Sequence, residues 1–267
     1  MLVGELLNGI EMPENFGRVI ISYLSDTDIS LHKTLFYKNF TRFCAETDAR
    51  ADAAIHYLAV YCALAADVYA TYREKDISRQ VYFQTFSDIT IWAKRHYALS
   101  GKVGLTEHVW LQNHLKLKLF RLGRLQFMPS PLGFSVDVNG IKIPEDEIAL
   151  TVHIAEGTSL LPEEIDSSFS RAKNFFRIGY CAYTCESWLI NRKLKELLPP
   201  DSNIIKFQNR FIQLSEDLSS RQAEERVFGR LHDAPSDYPQ DSSLQRVLSG
   251  YLAGGNRLGT AFGIMTL

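Results

Sequence analysis

The sequence predicts an α+β protein in which a helical first part precedes an α/β second part built on a mixed sheet. Three observations predict it. Apolar residues follow a 3.6-residue rhythm through the first hundred positions, alternate with a period of two from about Leu115, and settle into a strand–helix–strand order after Ile148. The change of texture near residues 100–115 divides the chain into a helical domain, 1–112, and an α/β domain, 113–267.

The helical part rests on two long patterns. Ile55, Leu58, Ala59, Cys62, Ala66 and Tyr69 mark one buried face between Asp52 and Tyr72. Ser78 then reads as an N-cap ahead of Tyr82, Phe86, Ile89, Ala93 and Tyr97, and Gly101 as the stop. Shorter helices are expected around Val19–Leu24, Leu35–Phe43 and Thr106–Trp110.

Leu115, Leu117 and Leu119 alternate with Lys116, Lys118 and Phe120, which predicts a strand with a wet face, resuming past a bend at Gly123. Phe134, Val136 and Val138 alternate next, and Asn139-Gly140 leads into Ile141 and Ile143, a strong hairpin signal. Ile148, Leu150, Val152 and Ile154 form a half-buried strand whose other face carries Thr151 and His153. Pro162 opens a helix whose first turns hold Glu163, Glu164 and Asp166, with Ile165, Phe169, Ala172 and Phe176 facing inward. A strand over Cys181–Ile190, a short helix Arg192–Leu198, an extended stretch Ile204–Leu214 and a helix Ala223–Arg230 follow. After a polar loop, a helix Leu244–Leu252 leads into a glycine-rich end and a terminal strand.

Composition narrows the function. With 46% hydrophobic and 22% charged residues the chain can bury a core, and a net charge of −2 gives no footprint for nucleic acid. Lys116, Lys118, Arg121 and Arg124 cluster, but on the wet face of a strand rather than as a phosphate track. Four cysteines make no disulfide scaffold, the first residues lack a secretory pattern, and the uncharged run Ala53–Ala66 is short for a bilayer. The expectation is a cytoplasmic protein with reduced thiols and no membrane partner.

The common catalytic signatures GxSxG, HExxH, CxxC and GxGxxG are absent. Gly254–Thr260 lacks the lysine of a phosphate loop and more simply ends a helix. Cys181 and Cys185 would stand about 13 Å apart on a strand, too far for a disulfide or a shared metal, and the seven histidines show no ligand spacing, so no metal is expected. Cys185 could serve as a nucleophile with His153 as its base, although a buried cysteine packs as a small hydrophobe. His153 is a candidate general base on its own, and Trp188 reads as core, with substrate stacking as the alternative.

The strings LFRLGRLQF (Leu119–Phe127), VHIAEGTSL (Val152–Leu160), CESWLI (Cys185–Ile190), DSNIIKFQNRF (Asp201–Phe211) and DSSLQRVLSGYLAGG (Asp241–Gly255) carry a further reading. As an ordered set they resemble a bacterial family of GNAT-like N-acyltransferases with a helical N-terminal domain. The resemblance spans nearly the whole chain. It implies a GNAT-like α/β domain with a mixed, mostly antiparallel sheet after the helical domain. The implied reaction moves an acyl group, acetyl or another, from acyl-CoA to a small-molecule amine.

Acyl-CoA would then lie between Ala149–Ile154 and Cys185–Ile190, with backbone N–H groups near Ala155, Gly157 and Thr158 polarising the thioester and the diphosphate at the next helix start. The resemblance places the base at His153 or Glu186 and the acid at Tyr183 or Ser187. Trp188, Asn203, Gln208, Arg210, Gln245 and Arg246 would orient the acceptor, or serve local capping. Two features depart from the family pattern. The Q/R-x-x-G-x-G/A loop is missing, and Glu163, Glu164 and Asp166 would repel a diphosphate. Either Arg171 or Arg192 assists CoA, or the domain is a non-catalytic binding module; a Cys185-dependent transferase or hydrolase is the third reading. The apolar stripes of the helical part leave a homodimer open.

Overall fold

The computed structural model describes residues 1–267 except Asn139 and Thr158. Among the described residues the helical part comprises α1 (Val3–Gly9), α2 (Glu14–Asp26), α3 (Ser30–Lys38), α4 (Phe40–Asp48), α5 (Ala53–Glu74), α6 (Arg79–Ser100) and α7 (His108–Leu115). Then come β1 (Phe120–Leu122), β2 (Leu125–Pro131), β3 (Val136–Val138), β4 (Ile141–Ile143), β5 (Ile148–Ile154) and α8 (Pro162–Phe175). The chain ends with β6 (Ala182–Ser187), α9 (Leu194–Leu197), α10 (Asn203–Gln208), β7 (Ile212–Asp217), α11 (Gln222–Phe228), α12 (Ser243–Ala253) and β8 (Thr260–Thr266). Two compact units result, one of residues 1–122 with 155–157, the other of 123–154 with 158–267.

In the first unit α5 is apolar nearly all round and is buried from His56 to Ala66, as such a helix must be in a packed core. It runs on through Asp67 to Glu74, so by length and composition alone it could cross a bilayer, although 67% of its most apolar window is buried. α6 is closed as its sequence predicts: Ser78 accepts a bond from the Val81 N–H, and Gly101 takes φ +70°. Phe36, Phe43, Tyr57 and Tyr61 pack edge to face between α3, α4 and α5.

The strand expected from Leu115 is displaced. α7 continues to Leu115 because Leu111 and Leu115, four apart, are both buried; Leu117 then takes φ +53° in a turn that bonds back to Asn113 and His114. The basic cluster is no wet strand face either. The Lys116 ammonium lies over the rings of Phe36 and Phe40, at 5.5 and 4.6 Å, Arg121 reaches Ser87 (3.3 Å), and Arg124 is buried.

The second unit is organised by five strands in the order β2-β5-β6-β8-β7. Only β5 and β6 run parallel; β2–β5, β6–β8 and β7–β8 are antiparallel. This is the mixed, mostly antiparallel sheet expected. α8 covers one face, where Phe169 touches the rings of Phe127 and Tyr183. The other face is covered at one end by the β3–β4 hairpin, whose Val138 and Ile143 pack with Leu132, Ala149, Ala182 and Ile264. The hairpin forms where predicted; Gly140 takes φ +83° and donates to the Asp137 carboxylate, while Asn139 lies outside the described residues.

Two further elements, both in the second unit, differ from expectation. β6 stops at Ser187, whose hydroxyl accepts from the Leu189 N–H and turns Trp188–Ile190 into a 3-10 segment. Ile204 to Gln208 is helical rather than extended. The Ser202 hydroxyl caps α10 by accepting from Ile205 N–H, and that local bond outweighs the strand preference of two adjacent isoleucines.

Candidate active site

β5 and β6 pair only at Ala149↔Ala182, Leu150↔Tyr183 and Thr151↔Thr184. Beyond that rung each strand stays bonded to its outer neighbour. Val152, His153 and Ile154 pair with Phe127, Gln126 and Leu125 of β2, while Cys185, Glu186 and Ser187 pair with Gly263, Phe262 and Ala261 of β8. The sheet therefore opens into a V whose two lips are held from outside.

Because side chains alternate along a strand, Thr151 and His153 emerge on one face together with Thr184 and Glu186. That face is the one left uncovered beyond the hairpin. The four residues line a pocket of ≈ 380 Å³ with Ser130, Pro131 and Leu132 from β2 and its end, Phe262 from β8 and Gln222 from α11. The volume suits a small-molecule site. Gln222 is tied to the end of β6 by accepting the Trp188 N–H at 3.1 Å. Across the floor, the Ser130 and Thr151 hydroxyls lie 2.8 Å apart and those of Thr151 and Thr184 3.2 Å apart.

The structure thus brings the two candidate bases, His153 and Glu186, into one pocket. The two candidate acids face the other way. Tyr183 is buried against Phe169, its hydroxyl 2.9 Å from that of Tyr180, and burial pushes its pKa up. Ser187 is buried and occupied in capping. Cys185 shares that face, is fully buried, and burial holds its thiol well above the usual range. A Cys185–His153 nucleophile and base is thereby ruled out: the two side chains stand on opposite faces of the sheet.

Of the residues expected to orient an acceptor, Gln208, Arg210, Gln245 and Arg246 bond to other parts of the chain. Trp188 is buried in the 3-10 segment, and Asn203 starts α10. Gln208 donates to the Leu189 and Asn191 carbonyls (3.2 and 2.6 Å). Arg210 binds Asp166 at 2.6 Å, which neutralises one of the three carboxylates at the start of α8. Gln245 completes a capping box on α12, and Arg246 holds the Gln240 and Asp241 carbonyls.

Among the expected cofactor residues, Arg192 is bonded to Gln213 of β7, through its backbone to the side chain and through its guanidinium to the carbonyl. Arg171 is exposed on α8. Ala155 is buried and Gly157 takes φ +139°; both belong to the first unit, and Thr158 lies outside the described residues. The helix start expected to take the diphosphate carries Glu163 and Glu164 in its first turn. Sequence reasoning passed over Ser130, Thr184, Gln222 and Phe262. Thr184 alone left a signal, a hydroxyl inside an apolar strand in register with Thr151.

A parallel pair that splays inside an otherwise antiparallel sheet, connected through one covering helix, defines a GNAT-like acyltransferase fold. The sequence agrees over nearly its whole length. Residues 1–117 match the N-acyltransferase N-terminal domain and residues 119–265 the GNAT-like C-terminal domain, so the chain belongs to this family of acyltransferases. An acyltransferase solved in complex with decanoyl-CoA and teicoplanin shares the fold, with a TM-score of 0.81 at 23% identity over 99% of this chain and 87% of that one. A mutant acyltransferase in complex with octanoyl-CoA matches with a TM-score of 0.80, 23% identity and the same shares. No curated protein sequence matches the chain.

Proposed function

We propose that this protein transfers an acyl group from acyl-CoA to the amino group of a small molecule held in the pocket. The observation that carries the reading is the opened β5–β6 pair with His153 on one lip and Glu186 on the other. The thioester lies in the V, where strand N–H groups released from the β5–β6 ladder can bond pantetheine amides. The acceptor amine enters from the pocket side. Glu186, exposed and acidic, attracts it as an ammonium ion; His153 takes the proton that makes it nucleophilic. The amine attacks the thioester carbonyl, the C–S bond breaks, and CoA leaves as a thiolate. The proton held by His153 passes to that thiolate, and the second proton of the attacking nitrogen goes to water as the amide forms. One group thus serves as base and then as acid, and neither Tyr183 nor Ser187 is required.

The donor proposed is an acyl-CoA with a chain longer than acetyl. Pro131, Leu132 and Phe262 give the pocket an apolar wall, and Leu132 and Phe262 continue it into the apolar cluster beneath the hairpin. The solved acyltransferases of this fold hold octanoyl and decanoyl chains. The test is a thermal-shift titration with octanoyl-CoA, acetyl-CoA, free CoA and ATP. A ligand at a hundred times its dissociation constant adds about 2.7 kcal/mol, a shift of several degrees. Shifts ordered octanoyl-CoA above acetyl-CoA above CoA, with none for ATP, support the reading. No shift with any CoA compound would remove it and leave the fold as a binding module for another ligand.

A further inference from the structure

We infer that the hydroxyl chain Ser130–Thr151–Thr184 is a built-in donor that positions the acyl carbonyl at the fork of the V; this rests on the acyl-CoA reading above. Thr151 and Thr184 are the last paired residues before β5 and β6 part. Any group threading from the cleft into the pocket passes beside their hydroxyls. His153 and Glu186 stand two residues further along on the same face, one strand repeat of about 6.6 Å away. An atom held at the hydroxyls is thus below the base and within reach of an amine held above it.

Proton counting leaves the chain one free O–H. Three hydroxyls carry three protons, and the two contacts of 2.8 and 3.2 Å consume two of them. The third is left on whichever hydroxyl does not donate within the chain, and all three residues line the pocket. Thr184 is only 3% exposed, and a buried hydroxyl proton without an acceptor is costly. Before acyl-CoA binds, Thr184 therefore donates to Thr151, and the free O–H falls towards the half-buried Ser130. A carbonyl oxygen at the fork supplies that acceptor. It turns the protons to run Ser130→Thr151→Thr184, so the outgoing O–H becomes that of Thr184, at the fork. Thr184 is therefore a positioning residue for the donor, and Ser130 and Thr151 fix its proton.

The test uses the full chain, isotope-labelled octanoyl-CoA and infrared difference spectroscopy of the thioester carbonyl, with calorimetric affinities for octanoyl-CoA and free CoA. In the wild type the carbonyl stretch falls to lower frequency on binding. Thr184→Val, which keeps the branched shape and removes the hydroxyl, returns it towards the solution value. That variant weakens octanoyl-CoA about three- to tenfold, the worth of one hydrogen bond, with CoA affinity unchanged. Thr184→Ser restores both readings. Ser130→Ala, at the half-buried end of the chain, gives a smaller shift in the same direction and guards against a Thr184 variant that does not fold. An unchanged carbonyl stretch in both Thr184→Val and Ser130→Ala overturns the inference while leaving acyl-CoA binding intact. A wild type that binds neither CoA compound overturns the acyl-CoA reading, and the inference with it.

Discussion

Nε2 of His56 lies 2.6 Å from Nδ1 of His32, and a carboxylate two bonds away decides which of them carries the proton. The Tyr23 hydroxyl, 2.6 Å from Asp52, must donate to it because an ionised carboxylate only accepts. Its oxygen then accepts from His56 Nδ1–H at 2.9 Å and from Arg50 at 3.1 Å. His56 is left with a bare Nε2, which accepts from His32 Nδ1–H. Both rings are neutral, and the four helices α2, α3, α4 and α5 are joined through Tyr23, His32, the Glu46 carboxylate 3.8 Å from His32, and His56.

This arrangement predicts an acid-sensitive first unit. Burial, with Arg50 and His32 adding repulsion, lowers His56 from 6.5 to about 4, and burial lowers His32 in the same direction. The folded state thus binds fewer protons than the unfolded chain between those values. For His56 the contribution to stability is complete above pH 6.5 and is lost as the pH falls towards 4, by at most about 1.4 kcal/mol per unit. His32 adds a loss of the same sign. Asp52, held at about 2 by the bonds from Arg50 and Tyr23, adds a second loss below 3.8. Melting temperature measured against pH should decline through the first window, and His56→Gln should flatten that decline. A midpoint constant from pH 7 to pH 4.5 would show that the rings titrate normally.

Thiol chemistry follows burial in the same way. Cys62 and Cys185 are fully buried, and burial pushes Cys62 up to about 12, whereas Cys44 and Cys181 are partly exposed. The native protein should release at most two equivalents from a thiol reagent, and all four only when unfolded. Alkylation of those two should leave acyl transfer unchanged. Rapid labelling of Cys185, identified by peptide mass, would revive a covalent mechanism.

What was legible in the sequence followed the strength of the local signal. The caps of α6, the Gly140 turn and the alternation of β5 are written in single residues or strict periods, and the structure holds them where expected. The V was reached by resemblance, since a splay is decided by neighbours: Phe127 and Gly263, far along the chain, hold the lips apart. Leu115–Leu119 misled because a period of two over five residues also fits the end of a helix followed by a turn. Gln208, Gln245 and Arg246 looked like acceptor ligands because a polar side chain in an ordered string reads alike whether it binds a substrate or a carbonyl.

The two lips of the cleft should separate kinetically. His153→Ala removes the group that takes the proton and should lower kcat by about 10²- to 10⁴-fold with little change in KM for the amine. Glu186→Gln keeps the shape and removes the charge, so it should raise KM for the amine about tenfold and leave kcat largely intact. Hydroxylamine and a primary alkylamine serve as the neutral and the cationic acceptor surrogates, with CoA release followed by a thiol reagent. Because hydroxylamine is uncharged at neutral pH, only a cationic amine should respond to Glu186→Gln. A loss of kcat in Glu186→Gln with both acceptors would exchange the two roles.

Gln208 decides between a binding and a structural reading of the segment after β6. It is buried, and its side-chain amide donates to the carbonyls of Leu189 and Asn191 at 3.2 and 2.6 Å. Asn191, itself fully buried, donates in turn to the Leu258 carbonyl, so three loops converge on one pair of amides. Replacing Gln208 with Leu strands two buried acceptors, a cost of about 2–4 kcal/mol. In a chain of this size that lowers the melting temperature by about 5–15 °C. Octanoyl-CoA affinity, measured below the transition, should stay within about twofold, because Gln208 does not line the pocket. An unchanged melting temperature with weakened ligand or acceptor binding would instead make Gln208 a contact residue and extend the site past the end of β6.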